Sequence, residues 1–138
     1  IKEEGIDHTS LTARQVSNCV CNLRNNILPD PKESPNVGSF FKNLTLNQKS
    51  FDDLQSIIKT PFHITQQGDY KISTAFLIEN AGWKGKKIGE MSVSNKHALV
   101  LVSSGKADGS EVIGFADQII EDIKKKYHVS IEVEPSVI

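Results

Sequence analysis

Long hydrophobic runs are missing from this sequence; the longest is Ala98-Leu99-Val100-Leu101-Val102. A membrane-spanning helix needs about 20 consecutive apolar residues, so no membrane partner is expected. An excess of charge of one sign is missing too. Lys and Arg number 16 against 17 Asp and Glu, a formal net charge of -1, which speaks against nucleic acid as a partner. Cysteine is scarce. Cys19 and Cys21 stand two apart, and on a helix such residues point to different faces and cannot bond to each other. Two buried or half-buried thiols fit a reducing cytosol. His8, His63, His97 and His128 are scattered, so no ligand spacing for a metal arises. The polar start, Ile1-Lys2-Glu3-Glu4-Gly5, lacks the charged-then-apolar plan of a signal peptide. No Met opens the chain, which fits a piece of a longer one. The expected location is cytoplasmic. Phosphate-loop, dinucleotide-fingerprint, His-Glu-x-x-His and nucleophile-elbow motifs are all lacking. Gly105-Lys106-Ala107-Asp108-Gly109 has no Gly-Lys-Ser/Thr ending and reads as a turn.

What remains is 138 residues, 38% apolar and 24% charged, enough for one core. Residues 1–11 read as a tether and 12–138 as a domain. Thr12-Ala13-Arg14-Gln15 is a capping-box pattern, followed at helical spacing by Val16, Cys19, Val20, Leu23 and Ile27. Pro29 must stop that helix by Leu28. Two Pro-containing stretches then make a stiff loop up to Gly38, and Ser39-Phe40-Phe41 reads as a short strand. Ser50 is the expected cap of a second helix bearing Leu54, Ile57 and Ile58, closed by Pro61. Tyr70-Lys71-Ile72 reads as a strand. Ser73 caps a third helix to Ala81, and Gly82 stops it. Residues 86–93 read as extended with a break at Gly89, and 97–102 as a continuous strand. A last helix spans about Ser110 to Tyr127 with Val112, Phe115, Ala116, Ile119, Ile123 and Tyr127 on one stripe. Its Lys124-Lys125-Lys126 run is a solvated end that suits the helix dipole. Val129 to Val133 closes as a strand. The expected fold is α+β, a mixed sheet with helices mainly on one face.

One segment is unlike plain scaffold. Gly38-Ser39-Phe40-Phe41-Lys42-Asn43 sets a hydroxyl beside two aromatics, then a cation and an amide. Phe can seal a pocket from water while Lys and Asn hold an anion. On residue chemistry alone, Ser39 reads first as a Ser at a strand start, with Phe in the core. Glu134, before Pro135, is equally a solvated terminal carboxylate.

Four blocks carry a resemblance that changes that weighting. Leu28-Pro29-Asp30-Pro31-Lys32, followed by Gly38-Ser39-Phe40-Phe41-Lys42-Asn43, resembles the signature of the UDP-N-acetylenolpyruvoylglucosamine reductases. Residues 75–79, Ala81-Gly82-Trp83-Lys84-Gly85 and Ile88-Gly89 resemble the next block. Lys96-His97 with the apolar run 98–102 resembles the third, and Val129 to Glu134 the closing strand. The resemblance runs from about Leu11 to the C-terminus. It implies an enzyme with FAD and NADPH as cofactors. Reduced flavin gives hydride to the enolpyruvyl double bond of UDP-N-acetylglucosamine enolpyruvate, and a serine protonates the resulting enolate-like carbon. The product is UDP-N-acetylmuramate, a cell-wall precursor. Ser39 matches that proton donor and Glu134 the catalytic glutamate near the C-terminus. Asn43, Lys84 and His97 match positions that contact the UDP portion; amide, ammonium and imidazole donors suit a diphosphate. Arg24 matches an arginine facing the flavin–substrate interface. Without the resemblance these four read as a turn Asn, a surface Lys, a strand-end His and a helix-end Arg.

The chain also departs from the pattern. Ile27 stands where relatives often carry a diphosphate-binding Lys, a contact worth about 1.5–3 kcal/mol. Leu44 replaces a common Pro. Pro135 replaces a common Val and removes a backbone N–H beside Glu134. The FAD-binding domains expected upstream, with a catalytic Arg, are the partner that the resemblance implies. A second reading is a UDP-sugar-binding module of the same fold without chemistry.

Overall fold

The structure is a computed structural model and describes residues 12–135; the tether expected over 1–11 lies outside them. The first helix, α1 (Ala13–Ile27), forms as its cap dictates. The Thr12 side chain accepts the Gln15 N–H while the Gln15 side chain takes the Thr12 N–H, and the helix ends at extended Leu28 before Pro29. Its apolar stripe is another matter. Of its residues only Cys19 is buried, while Val16, Val20, Leu23 and Ile27 are 38–51% exposed.

Strand β1 (Leu44–Leu46) leads to α2 (Gln48–Ile57). That helix starts earlier than a Ser50 cap would allow. Asn47 is the cap, its side chain accepting the Ser50 N–H at 2.9 Å, so Ser50 is the third helical residue. Phe51 and Leu54 are buried on its inner face, whereas Ile57 is exposed. Strands β2 (Phe62–Ile64) and β3 (Tyr70–Ile72) follow, then α3 (Thr74–Asn80) with Ser73 capping it. Strands β4 (Lys87–Ile88), β5 (Met91–Val93) and β6 (Leu101–Ser103) precede the long α4 (Gly109–Tyr127). A second capping box, Asp108 with Glu111, opens α4.

The class is α+β, but the strands form two antiparallel three-stranded sheets, β1-β3-β2 and β4-β5-β6, in place of one mixed sheet. Parallel pairing needs a crossover of about a dozen residues or more. The links β2–β3, β4–β5 and β5–β6 are too short for one. The expected strand over 97–102 is also shortened. Ser94 Oγ accepts the Lys96 and His97 amides, and His97 Nδ1 accepts the Leu99 amide. These local bonds win over strand pairing, so 98–99 form a turn and the strand begins at Leu101. Likewise the expected strands at 39–41 and 129–133 survive as two isolated bridges, Ser39 with Val100 and Phe41 with Val133. Their apolar residues Phe40, Phe41, Val129 and Ile131 are nonetheless buried.

The core joins both sheets through α3 and α4. Phe115, Ala116, Ile119, Ile123 and Tyr127 are buried, as the α4 stripe requires, and meet Leu77, Ile78 and Met91 in one cluster. Among the described residues no helix is long and apolar enough to cross a membrane.

Candidate active site

Ser39 is delivered by a loop stitched to itself. Asp30 Oδ1 accepts the Lys32 amide at 2.9 Å, and its carbonyl accepts the amides of Glu33 and Ser34. Asn36 donates to the Ser34 carbonyl and accepts the Gly38 amide at 2.9 Å. Gly38 then turns the chain with φ +79°, a conformation that side-chain-bearing residues rarely adopt. Beyond it the backbone is held from two sides. The Phe40 amide donates to the Leu99 carbonyl at 2.7 Å; the Lys42 amide donates to the Glu132 carbonyl at 2.9 Å, and the Glu134 amide to the Phe40 carbonyl at 2.8 Å. Phe40 and Phe41 are buried, edge to face at 5.3 Å. The result is an exposed Ser39 on a rigid, apolar footing.

The same clamp sets Glu134 beside Phe40, one residue from Ser39 along the chain, with its side chain exposed. No side-chain hydrogen bond joins Ser39 to Glu134 among the described residues. A cavity of about 600 Å³ opens at Gly38 and is lined by Arg24, Asn25, Pro29, Asn36 and Lys96 among others. Arg24 thus reaches the neighbourhood of Ser39 from α1.

The other three positions lie around this clamp with occupations of their own. Asn43 Oδ1 accepts the Thr74 amide at 3.2 Å, and Thr74 Oγ1 donates to the Lys42 carbonyl at 2.6 Å. Asn43 therefore anchors the start of α3 and keeps its amide N–H₂ for other use. His97 sits in the 94–99 turn, against Phe40 through Leu99. Because its Nδ1 accepts the Leu99 amide at 3.3 Å, a neutral ring carries its proton on Nε2 and can donate there. Lys84 is ion-paired with Glu79 at 2.9 Å. Its loop is drawn to the same turn by Gly85, whose amide donates to the Val93 carbonyl at 3.0 Å. A Cβ on Gly85 would stand 2.0 Å from Asn95 Oδ1, and φ is +74°, so this approach requires glycine. The structure thus brings Ser39, Glu134 and His97 around one stretch of backbone, places Arg24 in the cavity that Gly38 lines, and sets Asn43 and Lys84 on the flanks. Lys42, the cation of the Ser39 segment, is paired with Glu132 at 3.3 Å.

Sequence reading missed two residues. Asp122 accepts the indole N–H of buried Trp83 at 2.7 Å and the Lys126 ammonium at 2.8 Å, while Lys86 lies 3.9 Å over the Trp83 ring. This group fixes the loop that carries Lys84. A buried indole needs an acceptor, which was the available signal. Burial pushes the Asp122 carboxyl up, but hydrogen bonds from Lys126 and Trp83, with the charges of Lys126 and Lys86, outweigh it and hold it below its ordinary value. Its contribution is therefore full above the ordinary carboxylate range and is lost as pH falls through the lowered value. Asp122→Ala should cost about 1–3 kcal/mol, read as a lower urea midpoint at neutral pH. The gap between variant and wild type should narrow in acid, as the charge on Asp122 is lost; a gap independent of pH would refute this account. The second missed residue is Lys96, whose Nζ reaches the end of α1.

Among the described residues no group of three or more His, Cys, Asp or Glu could hold a metal. Comparison with known proteins adds the following. Residues 30–138 match the family described as UDP-N-acetylenolpyruvoylglucosamine reductase, C-terminal domain. The chain is 44% identical over 128 residues to a UDP-N-acetylenolpyruvoylglucosamine reductase of Xanthomonas campestris pv. campestris (strain B100), covering 91% of this chain and 37% of that protein. To the protein of the same name in Shewanella sediminis (strain HAW-EB3) it is 37% identical over 136 residues, 96% of this chain and 39% of the other. The chain thus spans a little over a third of the length of these curated relatives.

Proposed function

The chain belongs to the family of UDP-N-acetylenolpyruvoylglucosamine reductase C-terminal domains, and from that premise we propose that it binds the substrate and donates the proton in converting UDP-N-acetylglucosamine enolpyruvate to UDP-N-acetylmuramate. The observation that carries the reading is the double clamp on the Ser39 segment. It fixes the backbone that carries an exposed hydroxyl, between the 97–100 turn and the 132–134 segment.

Bound flavin, reduced by NADPH, supplies the hydride. The residues of this chain do the rest. Ser39 Oγ–H protonates the enolate-like carbon, where positioned proton transfer contributes about 10²–10⁴-fold. Glu134 lies toward the enol acid group and polarises it or relays the proton. A carboxylate beside an anionic substrate needs a screening cation, and Arg24 lines the cavity that opens at Gly38. The Arg24 guanidinium, with its fixed fork of donors, fits the electron-rich edge of a flavin. Asn43, Lys84 and His97 offer an amide, an ammonium and an Nε2–H to the diphosphate and uridine. Lys84 must first exchange Glu79 for that anion. The dinucleotide itself falls to the upstream part of a longer protein. Two observations support that division: the share of the relatives that the chain covers, and the bare apolar stripe of α1, which precedes residue 30. A nucleotide-sugar substrate and an exposed thiol at Cys21 suit the cytoplasm.

By this reading the chain alone is colourless and does not oxidise NADPH. Copurified stoichiometric flavin would contradict that. An NMR titration with UDP-N-acetylglucosamine enolpyruvate should shift amide signals at Ser39, Asn43, Lys84 and His97. Absence of shifts both here and in the full-length protein would sink the proposal. Binding without turnover in the full-length protein would instead favour a non-catalytic UDP-sugar module.

A further inference from the structure

Helix α1 carries Arg24 to the cavity beside Ser39, yet most of its apolar face is bare. What fixes its C-terminal end is local chemistry. In a continuing helix the Asn25 carbonyl would accept the amide of residue 29, but residue 29 is Pro and has no N–H. The Leu28 carbonyl lies beyond the helix end. Lys96 takes both: its Nζ donates to the Asn25 carbonyl at 2.9 Å and to the Leu28 carbonyl at 3.4 Å, across 71 and 68 positions of sequence. An ammonium there also meets the negative end of the helix dipole.

The other end of Lys96 is equally fixed. Its amide donates to Ser94 Oγ at 3.1 Å. Ser94 is buried and its own amide donates to the Val100 carbonyl at 2.8 Å; Val100 bridges Ser39, and Leu99 accepts the Phe40 amide. A short run of hydrogen bonds therefore leads from the last turn of α1, where Arg24 sits, to the backbone of Ser39.

We propose that Lys96 is a positioning residue of this site, a clasp that sets Arg24 on α1 at a fixed place relative to Ser39. The inference rests on the functional reading above. Lys96 acts through the α1 carbonyls, and the cavity that Arg24 and Gly38 line keeps its shape only while the clasp is closed.

The test uses the full-length protein with Lys96→Met, which keeps length and loses the donors, and Lys96→Arg, which keeps charge and donors. Misplacement of about 1 Å can cost about 100-fold, so kcat/KM for the enolpyruvyl substrate should fall about 10- to 100-fold in K96M, mostly in kcat. Reduction of the flavin by NADPH should fall far less than the reaction with the enolpyruvyl substrate, and K96R should recover most of the loss. Amide exchange at Ile27 and Leu28 should quicken in K96M and not in K96R, with α4 unchanged in both. Unchanged exchange in K96M would overturn the clasp. Quickened exchange with wild-type kinetics would overturn its positioning role. A loss equal in K96M and K96R would overturn it too, since donors at that place would then not suffice. A wild-type protein with no turnover would refute the functional reading and the positioning role together, and quickened exchange would then mark only a structural cap.

Discussion

In the full-length protein, if the proposed role holds, Ser39→Ala should leave reduction of the flavin by NADPH at its wild-type rate and slow the reaction of reduced flavin with the enolpyruvyl substrate by about 10²–10⁴-fold. The two half-reactions separate because only the second needs a proton at carbon. Ser39 is exposed and precedes the buried Phe40–Phe41 pair. The bonds that hold its segment run through the backbone, so removing Oγ leaves them intact. Exposed substitutions of this kind usually change stability by less than about 0.5 kcal/mol. A slowed second half-reaction in a protein of unchanged urea midpoint is thus a chemical effect. Stopped-flow absorbance of the flavin reads both steps separately. If both remained fast, Ser39 would not be the proton donor; if both slowed alike, its role would lie in binding the flavin half.

Phe41→Ala has the second large effect, and it acts through the footing. Phe41 is 1% exposed, packs edge to face on Phe40 and bridges Val133 through its backbone. Truncating a buried Phe costs about 3–5 kcal/mol, part transfer and part cavity. Against a typical domain stability of about 5–15 kcal/mol, this leaves little in reserve. Urea denaturation should show the midpoint falling steeply with little change in slope. Phe41→Leu, which refills part of the space, should lose far less. Equal midpoints for Phe41→Ala and the wild type would show that the aromatic pair does not support the Ser39 segment.

Both predictions rest on features of unequal visibility in the sequence. The helices were legible because their signals are local. Thr12 with Gln15, Ser73, and the stripe through Ile119 and Ile123 each act within a few residues. Strands β1 and β2 were not legible. Each is three residues long, and β2 is exposed at every position, so no alternation marks it; its place comes from pairing with β3. The run 98–102 misleads for the opposite reason. Residues 98–101 are all buried, turn and strand alike, and burial alone does not tell the two apart. Asn47 was passed over as a cap because Ser50 is as good a capping type; only the structure shows which accepts. At the candidate site, Ser39 and Glu134 are expected from the resemblance, and Gly38 reads only as the end of a loop. Lys96 and Asp122 escaped because their partners lie 71 and 39 positions away, and no sequence period spans such distances.

The clamp on Ser39 also has a direction in time. The sheet β1-β3-β2 closes within residues 44–72, so a chain growing from its N-terminus holds every part of it early. Ser39 itself emerges earlier still, but its first partner is Val100, and Phe40 and Lys42 must wait for Glu134 and Glu132. Within this stretch of chain, the segment that bears Ser39 is made before the partners at 132 and 134 that complete its seat. A chain that stops short of residue 132 has its small sheet complete and its serine segment held from one side only, by Leu99 and Val100.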